Sequence, residues 1–210
     1  MDSTRLMQTV MNGKFKDVAS ETQILLDAGA EPQQIINNAL IPAMAEVGAL
    51  FEAGKAFIPN MLLAAKSMKM SLELIKPLLN ADNSESTGKV IIGTVKGDLH
   101  DIGKNLVASM MEGAGFDVIN LGIDVPESKF VEAVKEHKAN ILCLSALLTT
   151  TMTQMEIVIN ACKEAGIRNG LTIMVGGAPV TQEFANQIGA DIYTDNANSA
   201  AEMAKKAVGK

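Results

Sequence analysis

Tryptophan is absent from the 210 residues, tyrosine occurs once, and aromatic side chains make up only 3% of the chain. Basic residues are also in deficit, since 18 Lys and Arg against 24 Asp and Glu leave a formal charge of −6. A nucleic-acid binder needs a positive field and stacking surfaces, so nucleic acid is not an expected partner. No apolar run approaches the ~18 residues of a membrane span. The start, Met1-Asp2-Ser3-Thr4-Arg5, has neither a basic nor an apolar signal region. The expectation is a cytoplasmic chain without a membrane partner. Cysteine is limited to Cys143 and Cys162, which form no CxxC pair, and 13 methionines would be a liability in oxidising surroundings. Both thiols are expected to be reduced core residues. What the chain does have is 48% apolar and 20% charged residues, enough for one large folded domain or two small ones.

The first part reads as helical throughout. Phe15 to Ala28 is stopped by Gly29, and Pro32 opens a second run toward Phe51. Within that run the stripe Ile36, Leu40, Ala43, Val47, Leu50 continues through Pro42, which should kink the helix. Ile58, Met61, Leu62, Ala65, Met68, Leu72, Ile75 and Leu79 recur at gaps of three and four, predicting one helix from Ile58 to Leu79 and a small helical bundle. Asn80 to Gly88 is polar, turn-forming and without periodicity, which makes it the boundary between domains at 1–84 and 85–210.

Beyond it the pattern changes. Short apolar runs at Val90–Val95, Val118–Leu121, Ile141–Ser145, Ile173–Val175 and Asp191–Tyr193 alternate with helical stretches starting near Lys104, Glu127, Met152, Thr181 and Asn198. Five βα units predict an α/β fold, a doubly wound five-stranded parallel sheet of order 2-1-3-4-5. In that order ligands bind at the ends of strands 1 and 3, with the loop after strand 4 beside them.

The loop after strand 1 runs Lys96-Gly97-Asp98-Leu99-His100-Asp101-Ile102-Gly103-Lys104-Asn105 and holds one of two histidines in the chain. It is not a phosphate loop: five residues separate Gly97 from Gly103, and Asn105 stands where a magnesium-binding hydroxyl belongs. Strand 3 ends in Leu144-Ser145 and not in the aspartate of a phosphoacceptor domain. Asp98, His100 and Asp101 offer a partial zinc set. A histidine with a carboxylate two residues earlier better suits one axial metal ligand with a partner that fixes its tautomer. Alone, the pair also fits a surface histidine at a helix start.

Asp98-Leu99-His100-Asp101-Ile102-Gly103 resembles the DxHxxG motif of cobalamin-binding domains. Ser145-Ala146-Leu147 and Gly176-Gly177 resemble that family's SxL and GG, and all three motifs fall in order at strand ends. Val47 to Pro59, followed by Ala64-Ala65-Lys66-Ser67-Met68, is similar to the helical cap that precedes this flavodoxin-like domain in methionine synthase and in small corrinoid proteins of one-carbon metabolism.

The resemblance implies that the cofactor's own dimethylbenzimidazole leaves cobalt and that His100 becomes the axial ligand. Asp98 would hold its other ring nitrogen, and Thr151, six residues after Ser145, would continue the relay. Gly97, Leu99, Asp101, Ile102, Gly103, Leu147 and Thr149 would contact the cofactor. Ser145, Gly176, Gly177, Tyr193 and Asn196 would line the nucleotide tail. Phe57 and Met61 would shield the reactive face. His137 is expected to be a solvated surface residue.

The implied function is a corrinoid methyl carrier, with methylcobalamin as its intermediate and no catalysis by the chain alone. Its implied partners are a cognate substrate methyltransferase, an acceptor methyltransferase acting on tetrahydrofolate or a thiol such as coenzyme M, and a reductive activation protein. A cobalamin-dependent sensor or regulator and a storage protein are the rival readings of the same layout.

Overall fold

The computed structural model describes residues 3–78 and 86–209. The described residues up to Leu78, together with Gly113–Gly115, form one compact unit, and 86–112 with 116–209 form another. The expected boundary at 84/85 and the expected helix end at Leu79 lie outside the described residues.

The first unit is helical: α1 (Thr4–Met11), α2 (Val18–Asp27), α3 (Pro32–Ile35), α4 (Ile41–Glu52) and α5 (Ile58–Ile75). A π-helical turn, Ile36–Leu40, joins α3 to α4. It lies just before Pro42, the position of the expected kink: proline brings no N–H to the ladder, and one wider turn before it keeps the chain helical. The apolar stripe survives, since Ile36, Leu40, Ala43 and Val47 are all buried. The helix start expected at Phe15 lies later, at Val18, after a turn through Gly13 and Lys14.

The buried face of α5 keeps Met61, Ala65, Met68 and Ile75 of the predicted stripe and takes in small residues in place of Ile58 and Leu62. Met61, Ala64, Ala65, Ser67, Met68, Ser71 and Ile75 are buried, whereas Ile58 and Leu62 are exposed. Small residues place the helix here, because Ser71 Oγ shares a 2.7 Å hydrogen bond with Thr22 Oγ1 of α2, and bulkier side chains on that face would hold the helices apart. Ser67 Oγ donates to Leu63 O at 2.9 Å, so its buried hydroxyl is also satisfied. The α-helix ends before Pro77, in a 3₁₀ turn, Lys76–Leu78.

In the second unit β1 (Lys89–Thr94), β2 (Asp117–Asn120), β3 (Ile141–Ser145), β4 (Thr172–Gly176) and β5 (Ile192–Tyr193) form a parallel sheet of order β2-β1-β3-β4-β5. Helices α6 (Ile102–Gly113), α7 (Glu127–His137), α8 (Thr149–Glu164), α9 (Gln182–Ile188) and α10 (Ala197–Ala207) connect and follow the strands. Central strands are apolar on both faces, as β1 and β3 show from Val90 to Ile92 and Ile141 to Leu144. One core layer gathers Ile91, Leu142, Leu144, Ile173 and Val175 with Phe130 of α7 and Met155, Val158 and Ile159 of α8. Both cysteines are free and buried. Burial pushes the Cys143 thiol up to about 12 and raises Cys162 as well, against a small opposing effect of Arg168. Among the described residues no helix is long and apolar enough to cross a membrane.

Candidate functional site

The strand order reverses between β1 and β3, so the loops leaving these two strands diverge and leave a crevice at their carboxyl ends. Asp98 joins the two loops. Its side chain is fully buried, and its four acceptor positions are filled. Oδ1 accepts from His100 Nδ1 at 2.7 Å and from the His100 backbone N–H at 3.0 Å. Oδ2 accepts from the Leu147 N–H at 2.8 Å and from Thr151 Oγ1 at 2.7 Å. Burial alone would raise the carboxyl's pKa. The donors on Thr151, Leu147 and His100 outweigh it and hold the group well below the usual carboxylate range.

A carboxylate so satisfied is an anion in the neutral range and an acceptor only. It therefore selects the His100 tautomer with hydrogen on Nδ1, which leaves the lone pair on Nε2. The ring is half exposed. Thr94 Oγ1 donates to His100 O at 2.8 Å, fixing the backbone that carries the ring. Among the described residues no group of three or more His, Cys, Asp and Glu side chains is arranged to hold a metal ion.

Around it the surface is apolar and open. Leu99 and Ile102 are 67% and 72% exposed, and Leu147 and Leu148 on the loop after β3 are exposed too. Gly97, Asp101 and Gly103 are exposed in the same loop. A Cβ on Gly103 would meet nothing within 4 Å. Ser145 ends β3 half-buried, and Thr149 opens α8 exposed. Gly176 ends β4 and Gly177 follows it. Gly177 has φ +136°, and a Cβ there would run into Ala146 O, so the backbones after β3 and β4 approach as only glycine allows. Three motifs distant in sequence thus share one end of the sheet.

Other expected site residues have visible structural duties. Tyr193 is half-buried against the core layer. Asn196 caps α10, its Oδ1 accepting from Ser199 N at 2.8 Å. In the helical unit Phe57 precedes α5 and is 67% exposed, whereas Met61 is buried. His137, expected to be solvated, is half-buried in the last turn of α7.

Some polar residues at the site escape sequence reasoning. Lys104 is buried, its Nζ donating to Asn105 Oδ1 at 2.6 Å and Asn120 Oδ1 at 2.7 Å, while Asn105 Nδ2 donates to Asp101 Oδ2 at 3.0 Å. Desolvation lowers the Lys104 pKa, and the charge of Asp101 partly offsets this. Asp124, in the loop after β2, bonds to the turn that carries Asp98. No spacing rule in one sequence points to either residue.

Comparison with known proteins agrees with this geometry. Residues 88–203 and 3–76 each match a family model described as a B12 binding domain. Trimethylamine corrinoid protein 1 of Methanosarcina mazei is 46% identical, over 91% of this chain and 88% of its own length. Dimethylamine corrinoid protein 1 of Methanosarcina acetivorans is 45% identical, over 84% of this chain and 83% of its own. Among solved structures, a chain of the methanol:cobalamin methyltransferase complex of Methanosarcina barkeri matches with TM-score 0.89 and 32% identity, covering 98% of this chain and 79% of that one. The monomethylamine corrinoid protein of the same organism matches with TM-score 0.56 and 33% identity, covering 96% of each chain. The buried Asp98, the half-exposed His100 and the glycine-lined crevice therefore belong to a member of the B12-binding family, a cobalamin-binding corrinoid protein of methyltransferase systems.

Proposed function

We propose that the chain carries methyl groups between two methyltransferases, with His100 Nε2 as the atom that would hold the corrinoid cobalt. A bound corrinoid would supply the methyl-accepting and methyl-donating chemistry. The chain's own residues bind, orient and hold protons. One observation carries the reading: a fully buried carboxylate with every acceptor position filled fixes Nδ1–H and turns the remaining ring nitrogen into the better donor. Thr151 and the Leu147 N–H hold that carboxylate from the loop after β3, so the direction of the ring depends on two loops at once. The exposed Leu99, Ile102 and Leu147 offer an apolar seat for a large ring, and Gly176 and Gly177 admit a ligand close to the backbone. Ser145, Thr149, Tyr193 and Asn196 would border its tail.

In this reading the α/β domain of 85–210 binds the cofactor and the helical domain of 1–84 serves as the cap, to which Phe57 contributes an exposed ring, while the buried Met61 packs within the fold. Relatives named for trimethylamine and dimethylamine favour a methylated amine as the donor. The cognate substrate methyltransferase acts on that donor. The acceptor enzyme passes the methyl group to tetrahydrofolate or to a thiol such as coenzyme M, and a reductive activation protein restores oxidised cobalt. The protein works in the cytoplasm.

Reconstitution with cob(II)alamin tests the assignment. Paramagnetic resonance is expected to show nitrogen superhyperfine splitting that His100→Ala abolishes; an unchanged splitting in that variant would remove His100 from the axial role. The loaded chain alone should not turn over free methylated amines. Multiple turnover without partner enzymes would overturn the carrier reading.

A further inference from the structure

The loop that follows β2 carries none of the three motifs, yet it bonds directly to the turn that presents Asp98. Asp124 Oδ1 accepts from the Gly97 N–H at 2.7 Å. Its own N–H donates to Asp98 O at 3.0 Å. One residue therefore holds the Gly97–Asp98 dipeptide at both ends. We propose that Asp124 is a positioning residue for the Asp98–His100 pair, gripping the turn from β2 while Leu147 and Thr151 grip the carboxylate from β3.

Its backbone supports this. Asp124 has φ +51°, and Lys138, at the end of α7, is the other non-glycine residue with positive φ among those described. A side chain in that region costs on the order of 1 kcal/mol, which glycine would not incur. Aspartate tolerates the conformation, and here its carboxylate has a partner that glycine could not supply. It does not cap α7, whose N-cap is Pro126 with no side-chain cap. The register around it is pinned, because Thr94 N–H donates to Gly122 O and Val125 N–H to Thr94 O, both at 3.0 Å. Val95 and Val125 form a further parallel bridge. Asp124 is held opposite Gly97 by a ladder that already extends β1 against the chain leaving β2.

Gly97, at φ +80°, is the soft point of the opposing turn. Without an acceptor across from its N–H, the Gly97 end of the turn loses its hold, while the Asp124 N–H still bonds Asp98 O. Asp98 then keeps its bonds to Leu147 and Thr151 but meets His100 Nδ1 less often. Because Asp124 is exposed, its charge is solvated, and the grip needs only an acceptor oxygen on a residue that tolerates the left-handed region.

Two substitutions separate the grip from backbone conformation. D124G suits the dihedral and deletes the acceptor, while D124N keeps both. In cofactor-free protein above the imidazole titration range, nitrogen-15 resonance of the His100 ring reports the ratio of Nδ1–H to Nε2–H tautomers. D124G is expected to lower that ratio by about fivefold, the value of one hydrogen bond of ordinary strength. D124N should stay within about twofold of the parent, since the acceptor remains. A wild-type ratio in D124G, or an equal loss in D124N, overturns the proposal. If D124G does not fold, D124S, whose hydroxyl stops short of the Gly97 N–H, is expected to show the loss, and a wild-type ratio there overturns it equally. The inference rests on the proposed role of His100, but its readout needs no corrinoid. Absence of nitrogen splitting in loaded wild-type protein would sink that role and leave the tautomer result standing.

Discussion

The crevice of the α/β unit and the exposed face of α5 treat their surfaces in opposite ways. At the crevice every acceptor position of a buried carboxylate is filled, and the loops after β1, β2 and β3 are tied together through residues 97, 98, 124, 147 and 151. On α5 the polar residues Ser67 and Ser71 are inside, and Ile58, Leu62 and Leu63 are outside. Directional bonds fix one geometry, as orientation of a metal ligand requires. An apolar surface without directional bonds can be covered or uncovered at little cost in specificity. Precision sits at the sheet and adaptability on the helix.

The largest expected effect comes from closing the glycine approach. Gly177→Ala places a methyl group on Ala146 O in a backbone region that side chains rarely adopt, and chemical denaturation should show a loss of roughly 3 kcal/mol or more. A near-normal midpoint would mean that the crevice is looser than its bonds suggest. On the helix the contrast is internal. Met61→Ala should cost roughly 2–5 kcal/mol as a buried large-to-small change. Phe57→Ala should stay within about 0.5 kcal/mol, yet speed photolysis of the methylated, loaded protein if Phe57 shields the reactive face.

Asp98→Asn comes next, at about 2 kcal/mol near pH 7, because an amide cannot accept all four bonds. The carboxyl's folded pKa lies below its unfolded value of about 3.9. Its contribution is therefore complete above that value and lost as pH falls from about 4 toward the folded value. Urea titrations of wild type and variant should differ at pH 7 and converge in that acid window; a constant difference would contradict the direction of the shift. A smaller effect, of opposite sign, is expected at Gly103, where an added Cβ meets nothing within 4 Å. Gly103→Ala should raise the stability of cofactor-free protein by up to about 1 kcal/mol, as expected inside a helix, while weakening cobalamin binding measured by equilibrium dialysis. Unchanged binding would place the corrin away from α6.

Much of this is legible in the sequence because the signals are local or periodic. Apolar strand runs and turn residues yield the order β2-β1-β3-β4-β5, and the apolar period passes through the π turn since one extra residue does not rotate the stripe off the core. The face of α5 is legible in part: Met61, Ala65, Met68 and Ile75 follow the apolar spacing, but that spacing also counts the exposed Ile58 and Leu62 and ignores the small residues that set how closely two helices pack. Buried Lys104 is likewise invisible: its amide partner Asn120 is 16 residues away and meets it only in the folded sheet. Asp98, His100 and Thr151 stand out by motif. Asp124 does not, since its duty depends on a backbone dihedral and a neighbour 27 residues earlier.

A protein that carries an electrophilic carbon must avoid alkylating itself. Thiolates are the most reactive acceptors a chain can offer, and here both sulfurs lie inside the fold with their thiols kept protonated, Cys143 at about 12. A protonated, enclosed thiol is a poor nucleophile. The same burial that fills the core therefore keeps the cargo for the outside acceptor, and it leaves a cysteine newly placed on the surface as the single site for thiol-directed labelling.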